Sequence, residues 1–442
     1  MRILFTPAGD TDPVRGFRDG AMLHILRHYQ ADKAIVFLTK DMEEKEKAMH
    51  CYTEGIRSVS PACMVVFINS GITEPQDFEE LTIIQNEFDK AFNAEENANA
   101  EWLLNISSGT PQIKSVMSLL ALDYPQVKAV QVASPEGRSN RGNHPCSTAE
   151  ELLEMLECNE DNEPDAPNRT SEPPLLLLKR HGLALQVASL IRHYEYGGAL
   201  QIVRLNQMLF TNVTKQLLEH AALRKDLMWR EANKIISSYE GNKLIESPED
   251  FSEYFQVLEM CQRKNQLPEF IIKLSPVLAD LGFYYLKKIK GFALSDCGFY
   301  KTNKTGGASY FVVARNKIGK NYPKLLAFIE TQLRGPLRDG PLYFNLVLLI
   351  CNYFEMHDLN QDEKHKTISR YFLQLRDVEE KIRNPIAHSI TNQTEKDIKD
   401  ATGMDSKDIL NRLHETIKLV RGRDAQWTYD RLNRFILDSL RR

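Results

Sequence analysis

The sequence predicts an α/β domain followed by an all-α carboxyl-terminal half, and three observations carry that prediction. Five short apolar runs within the first 135 residues alternate with helical stretches. An acidic, proline-rich stretch then interrupts the pattern at 157–174. Beyond about residue 175 the apolar residues recur every three or four positions, the period of a helix with one buried face.

The apolar runs are Arg2–Thr6 (RILFT), Ala34–Thr39 (AIVFLT), Met64–Asn69 (MVVFIN), Trp102–Ile106 (WLLNI) and Val127–Ala133 (VKAVQVA). They are continuously apolar rather than alternating, as strands covered on both faces are. Helical spacing at Phe17–Tyr29, Asp41–Ser58, Pro75–Asn93 and Gln112–Asp123 separates them. Strand–helix alternation of this kind gives a Rossmann-like domain, a parallel sheet with helices on both faces. Glu157–Pro174 (ECNEDNEPDAPNRTSEPP) has almost no large apolar residue and reads as a linker or mobile loop. After it, HGLALQVASLIRHYEYGGAL, LNQMLFTNVTKQLLEHAAL, LYFNLVLLICNYFEM and ISRYFLQLRDVEEKIRN all fit helices. Gly291–Val313 is the one later region with strand or loop character. The expected divisions are a domain over 1–156, a linker over 157–174, a helical middle domain over 175–270 and a last domain over 271–442.

A chain of 442 residues is too long for one compact core. Its net charge of −4 excludes the global basic field of a dedicated duplex-DNA binder. No helix-turn-helix and no basic carboxyl-terminal face are expected either. Seven scattered cysteines form no CxxC or CxxH pair, which disfavours both a disulfide framework and a zinc site. No apolar run approaches 18 residues and the amino terminus lacks a signal-peptide pattern, so no membrane span and a cytoplasmic location are expected.

Two loops at the ends of predicted strands carry suitable chemistry. The first is TPAGDTDPVRG, residues 6–16, with Gly9, Thr11 and Asp12 as candidate ligand-binding residues. The second is NISSGTPQ, where Asn105, Ser107, Ser108, Gly109, Thr110 and Gln112 lead into a helix. Glycine lets a ligand approach the backbone, and a helix amino terminus offers free N–H groups to an anion. Ser, Thr, Asp and Gly also favour caps and turns without any ligand. Neither loop is a Walker A or a GxGxxG loop, so ATP hydrolysis and dinucleotide binding are disfavoured. A third loop, SPEGRSNRGNHPC, adds Arg138 and Arg141 after the fifth strand.

Near the carboxyl terminus KIRNPIAHSI places Arg383 and Asn384 before a helix-breaking Pro385 and His388 after it. Metal-independent RNA cleavage needs a group that moves a proton from a 2′-OH and a cation that holds the phosphate. Histidine and arginine supply these. Asn384 can add a hydrogen bond. The plain alternative is an arginine and a histidine at a helix carboxyl end, which the helix dipole favours.

Taken together, the TDP and NxSSGTPQ loops resemble those of CARF domains, and RNPIAH resembles the R-x(4–6)-H motif of HEPN ribonuclease domains. The order of CARF, helical region and HEPN is similar to that of the Csm-type accessory ribonucleases of type III CRISPR systems, the sixth member of the csm series. The resemblance implies a homodimer that senses cyclic oligoadenylate, cyclic hexa-adenylate being favoured and cyclic tetra-adenylate the alternative. It implies allosterically activated, metal-independent cleavage of single-stranded RNA in antiviral defence. The link to the type III effector complex would be functional, without stable binding. Arg383, Asn384 and His388 would be catalytic. Gly9, Thr11, Asp12, the 105–112 loop and Arg138 would hold the ring, with the carboxylates of Asp10 and Asp12 facing adenine amino groups or ribose hydroxyls. Thr110 would take part if the domain also degrades its ring. The other readings are a non-catalytic CARF-type sensor acting through a helical partner-binding domain, and a constitutive HEPN toxin.

Overall fold

The computed structural model describes residues 1–124, 126–135, 146–237, 249–302, 309–357, 362–384 and 394–441. The chain divides into two compact units, Met1–Gly182 and Leu183–Arg442.

The first unit holds β1 (Arg2–Pro7), β2 (Lys33–Leu38), β3 (Met64–Asn69), β4 (Glu101–Asn105), β5 (Val127–Val132) and β6 (Thr170–Ser171). They form one sheet in the order β3-β2-β1-β4-β5-β6. The first five are parallel, and β6 pairs antiparallel with β5. The strand bounds fall within a residue of the sequence reading, because continuous apolar runs leave little choice of where a doubly covered strand lies. The helices are α1 (Ala21–Tyr29), α2 (Lys40–Met49), α3 (Cys51–Val59), α4 (Thr82–Phe92), α5 (Pro111–Asp123) and α6 (Ala149–Glu157).

Two hydrophobic cores lie on opposite faces of the sheet, as the alternation of side chains along each strand requires. Leu4, Ala34, Val36 and Leu103 pack with Leu23, Ile56 and Leu152 of α1, α3 and α6. Ile3, Phe5, Ile35, Phe37 and Leu104 pack with Ile84 and Phe88 of α4 and Met117 of α5.

Some elements differ from the sequence reading. The helix expected from Phe17 begins at Ala21, because residues before it form a loop with Gly16 and Phe17 both at φ 59°. The helix expected over Asp41–Ser58 is two, broken where His50 adopts φ 50°. The stretch expected as a linker is built into the unit: Glu160–Asn162 forms a 3₁₀ turn, Asp161 is buried, and Thr170–Ser171 is strand β6. Its polar residues bond to each other and to α1, which hydrophobic periodicity does not register.

The second unit is mainly helical. Its largest core gathers Phe255, Phe270, Leu278, Leu281, Ile350, Phe372 and Leu413 from helices spread over Asp250–Arg421. A second core joins Ile191, Tyr196 and Leu218 to Tyr429, Leu432 and Ile436 of the last helix. At its centre Arg224 and Glu253 form a fully buried two-pronged pair, 2.9 Å at each contact. The all-α expectation needs one correction. β7 (Gly298–Thr302), β8 (Ser309–Val313) and β9 (Gly340–Pro341) form a small antiparallel sheet. The aromatic and β-branched residues Phe299, Tyr300, Phe311, Val312 and Val313 favour it.

Candidate functional site

β1 and β4 lie side by side, with Leu4 opposite Leu103. β2 and β3 extend the sheet from β1, and β5 and β6 extend it from β4. Ligands of open parallel sheets bind outside the carboxyl ends of strands at such a reversal of strand order. The loops after β1 and β4 converge there. Gly109, at φ +86°, lies against Gly9.

A buried hydrogen-bond chain locks the two loops together. Asn105 Nδ2 donates to Thr6 Oγ1 at 2.9 Å and to Ser108 Oγ at 2.7 Å. Ser108 in turn bonds the Asp12 carboxylate, which accepts the backbone N–H groups of Gly9 at 3.0 Å and Met22 at 3.1 Å. Burial pushes the Asp12 carboxyl above the usual carboxylate range, although the bonds from Ser108, Met22 and Gly9 oppose it. Asp12 is therefore turned into the protein and is not part of the lining of the cavity above it, against the expectation that it faces the ring. Its carboxylate satisfies two N–H groups that burial would otherwise leave unpaired. Asn105 and Ser108 are likewise buried framework.

Over this framework opens a cavity of about 370 Å³. Of the expected residues, Gly9, Thr11, Ser107, Gly109 and Thr110 line it. Thr110 Oγ1 caps α5 by accepting the Ile113 N–H at 3.3 Å, and donates to the Pro75 carbonyl at 2.8 Å. Ser107 Oγ accepts the Val132 N–H at 2.8 Å. Gln112 is half-buried on α5 and is not part of the cavity wall. Arg138, with Arg141, lies outside the described residues.

The cavity lining also has two cations that sequence reasoning missed, Lys114 and Arg169, in a wall that carries Asp10, Asp19 and Asp41 as well. The Arg169 backbone N–H donates to His24 Nε2 at 2.9 Å, and its guanidinium donates to Ala133 O at 2.9 Å and Asp161 Oδ2 at 2.8 Å. Arg27 grips Asp19 through two contacts of 2.8 and 3.0 Å. Burial raises the Asp19 pKa, but hydrogen bonds from His24 and Arg27 and the Arg27 charge outweigh it and hold the carboxyl at about 2. Asp19, His24 and Asp161 stand close enough to share a cation, yet Arg27 and Arg169 already bond the two carboxylates. The cluster reads as an ion network. Its signal in the sequence was Arg169, the single basic residue of the 157–174 stretch.

In the second unit the helix Glu363–Val378 runs into a π-helical turn, Glu379–Arg383. The Asn384 N–H closes it on the Glu379 carbonyl, five residues back. The turn puts Arg383 half-buried beside Asn384, with Nη1 donating to Asn384 Oδ1 at 3.2 Å. Arg383 Nε is buried and has no hydrogen-bond partner among the described residues. Single π turns recur at functional sites. Pro385 and His388 lie outside the described residues.

Models of one family match three successive segments of the chain. The Cas_Csm6 CARF domain matches residues 64–170, the CRISPR-associated protein Csm6 6H domain 173–225, and the Cas_Csm6 HEPN domain 234–437. The 105–112 loop and Arg169 fall in the first match and Arg383–His388 in the third, whereas the loop after β1 precedes them all. CRISPR system endoribonuclease Csm6 of Enterococcus italicus is 28% identical over 300 residues, 65% of this chain and 67% of that protein. Csm6′ of Streptococcus thermophilus is 29% identical over 291 residues, 62% of this chain and 72% of that protein. The solved structure of Enterococcus italicus Csm6 bound to cyclic hexa-2′-fluoro-hexa-dAMP matches with a TM-score of 0.61. At 20% identity, over 99% of this chain and 100% of that one, the likeness is one of fold.

Proposed function

As the chain belongs to the Csm6 family, we propose that it is a cyclic-oligoadenylate-activated endoribonuclease of type III CRISPR antiviral defence. The cavity at the ends of β1 and β4 takes the activator, and the helical unit cleaves single-stranded RNA. The observation that carries this reading is the cavity itself: backbone glycines, a helix amino terminus and the cations Lys114 and Arg169 surround one space at the reversal of strand order, beside the acidic Asp10, Asp19 and Asp41. The N–H groups and cations suit a phosphodiester, and the carboxylates suit hydroxyl or amino donors of a nucleoside.

The ring is shared by two copies of the chain across a two-fold axis, each presenting this open cavity to one side of it. Cyclic hexa-adenylate is the favoured activator, since the structural relative carries an analogue of it. Thr110 would be the residue to take part in ring degradation, but only after giving up its bond to Pro75.

In the helical unit, His388 takes the proton of the attacking 2′-OH. Arg383 holds the phosphate and offsets the charge that builds on it, and Asn384 orients Arg383. Two such sets from two chains form one composite site, and the chemistry needs no metal.

The test is cleavage of a fluorogenic single-stranded RNA in EDTA, with no ring, cyclic tetra-adenylate or cyclic hexa-adenylate. Wild type should cleave only with the hexamer, and His388→Ala should be silent. Cleavage untouched by His388→Ala would remove the site assignment. No cleavage with either ring would leave the sensor reading in its place.

A further inference from the structure

We infer that the β7–β8 hairpin of the helical unit is a docking finger for single-stranded RNA, carried by residues other than Arg383–His388. The inference rests on the reading of RNA as substrate.

β7 is an edge strand of its sheet, and Phe299 to Thr302 are all exposed. Two of these are large aromatics: Phe299 is 46% and Tyr300 59% exposed. Tyr300 packs edge-on against Phe311 at 5.4 Å and Phe283, yet both adjacent rings keep about half their surface in water, and such a pair points to a partner. Alternation along the strand puts Phe299 and Lys301 on one face and Tyr300 on the other. Each face pairs rings with an ammonium group. Lys317 Nζ lies 6.0 Å from the Phe299 ring centroid and is fixed by a 2.8 Å bond to the Gly298 carbonyl. The Tyr300 ring lies 6.2 Å from Phe283, over which Lys287 Nζ sits at 4.3 Å.

Charge decides what the partner is. Residues 281–329 contain nine Lys or Arg and one acidic residue, Asp296, in a chain whose net charge is −4. Among the described residues of this segment, only Arg315 is tied to a carboxylate, that of Glu330. The expectation of no basic carboxyl-terminal face is thus corrected. The basic charge is concentrated in the stretch of sequence that holds the hairpin, where the chain's overall balance conceals it, and Lys287, Lys301 and Lys317 stand at or beside its described strands. Exposed rings flanked by cations match the bases and phosphates of a single strand: the rings stack on bases of any sequence, and the lysines follow the backbone. A duplex, with its bases already stacked, has no use for the rings.

The test uses the full chain and a fluorescein-labelled 20-nucleotide RNA with 2′-O-methyl riboses, which cannot be cleaved by 2′-OH attack. Anisotropy is read at two salt concentrations. Phe299→Ala/Tyr300→Ala should bind about tenfold more weakly. Lys287→Ala/Lys301→Ala should lower the slope of log affinity against log salt by roughly 1 to 2. On cleavable RNA both should raise KM and spare kcat. Tyr300→Trp keeps a stacking surface and should keep the affinity, which separates lost stacking from lost folding. Variants that bind the probe as wild type does, or a wild type that does not bind it, overturn the inference. So does loss of a protein partner with RNA affinity intact. Weakened binding in the variants beside a wild type that never cleaves supports the finger and fails the nuclease reading instead.

Discussion

A Cβ placed on Gly9 would stand 2.6 Å from the amide nitrogen of Gly109, so the loops after β1 and β4 meet backbone to backbone. No side chain larger than hydrogen fits between them, and the atom in the way is main chain that cannot swing aside. Gly9→Ala should part the loops and weaken cyclic hexa-adenylate binding by at least about tenfold, because a misplaced wall loses several contacts together. Isothermal titration checks this. Unchanged affinity would mean the ligand does not depend on that contact.

Asp19 gives the first unit a pH dependence of known sign. Its carboxyl sits at about 2 when folded, against 3.8 unperturbed. A depressed pKa stabilises the fold above the unfolded value and loses that contribution as pH falls through the folded one. Stability worth about 2 kcal/mol should therefore disappear between roughly pH 4 and pH 2. Asp19→Asn should flatten this part of the acid unfolding curve, followed by tryptophan fluorescence. A variant with the wild-type slope would contradict the assignment.

The buried Arg224–Glu253 pair ties the helix Asn212–Lys225 to Asp250–Arg263, and Arg224 also lies 4.7 Å from the Tyr429 ring centroid. Removing one partner strands a charge in the core. Arg224→Ala should cost about 3–5 kcal/mol, and Glu253→Gln less. Chemical denaturation measures both. A loss below about 1 kcal/mol for Arg224→Ala would show that water reaches the site.

Arg383→Lys keeps the charge and loses the planar fork that Asn384 orients. Ring-activated RNA cleavage should fall by about 100-fold or more, with melting temperature little changed. Full activity in the lysine variant would leave Arg383 as a point charge only.

The parts of the fold governed by hydrophobic burial were legible in the sequence. Val36, Phe37, Leu103 and Leu104 sit in continuous apolar runs because the sheet is covered twice. The parts governed by polar bonds were not. His50 breaks a helix without Gly or Pro, and Asp161 and Arg169 are buried in a stretch that composition marks as solvated. The site divides the same way. That Gly9 and Thr110 would come together at the strand ends could be read from residue type and spacing. That Asp12 faces inward and Arg169 closes the cavity wall depends on hydrogen bonds between residues far apart in sequence.

The wide turn at Glu379–Arg383 also fixes a phase. Each residue of an α-helix advances the chain by about 100°, so a turn that carries one extra residue rotates everything beyond it by that angle relative to an unbroken helix. Arg383 and Asn384 point where they do because the helix before them miscounts once. A single-residue deletion within 379–382 would restore the regular count. The RNPIAH letters would be intact and their ladder of hydrogen bonds improved, but the arginine would swing about a quarter-turn off its bearing.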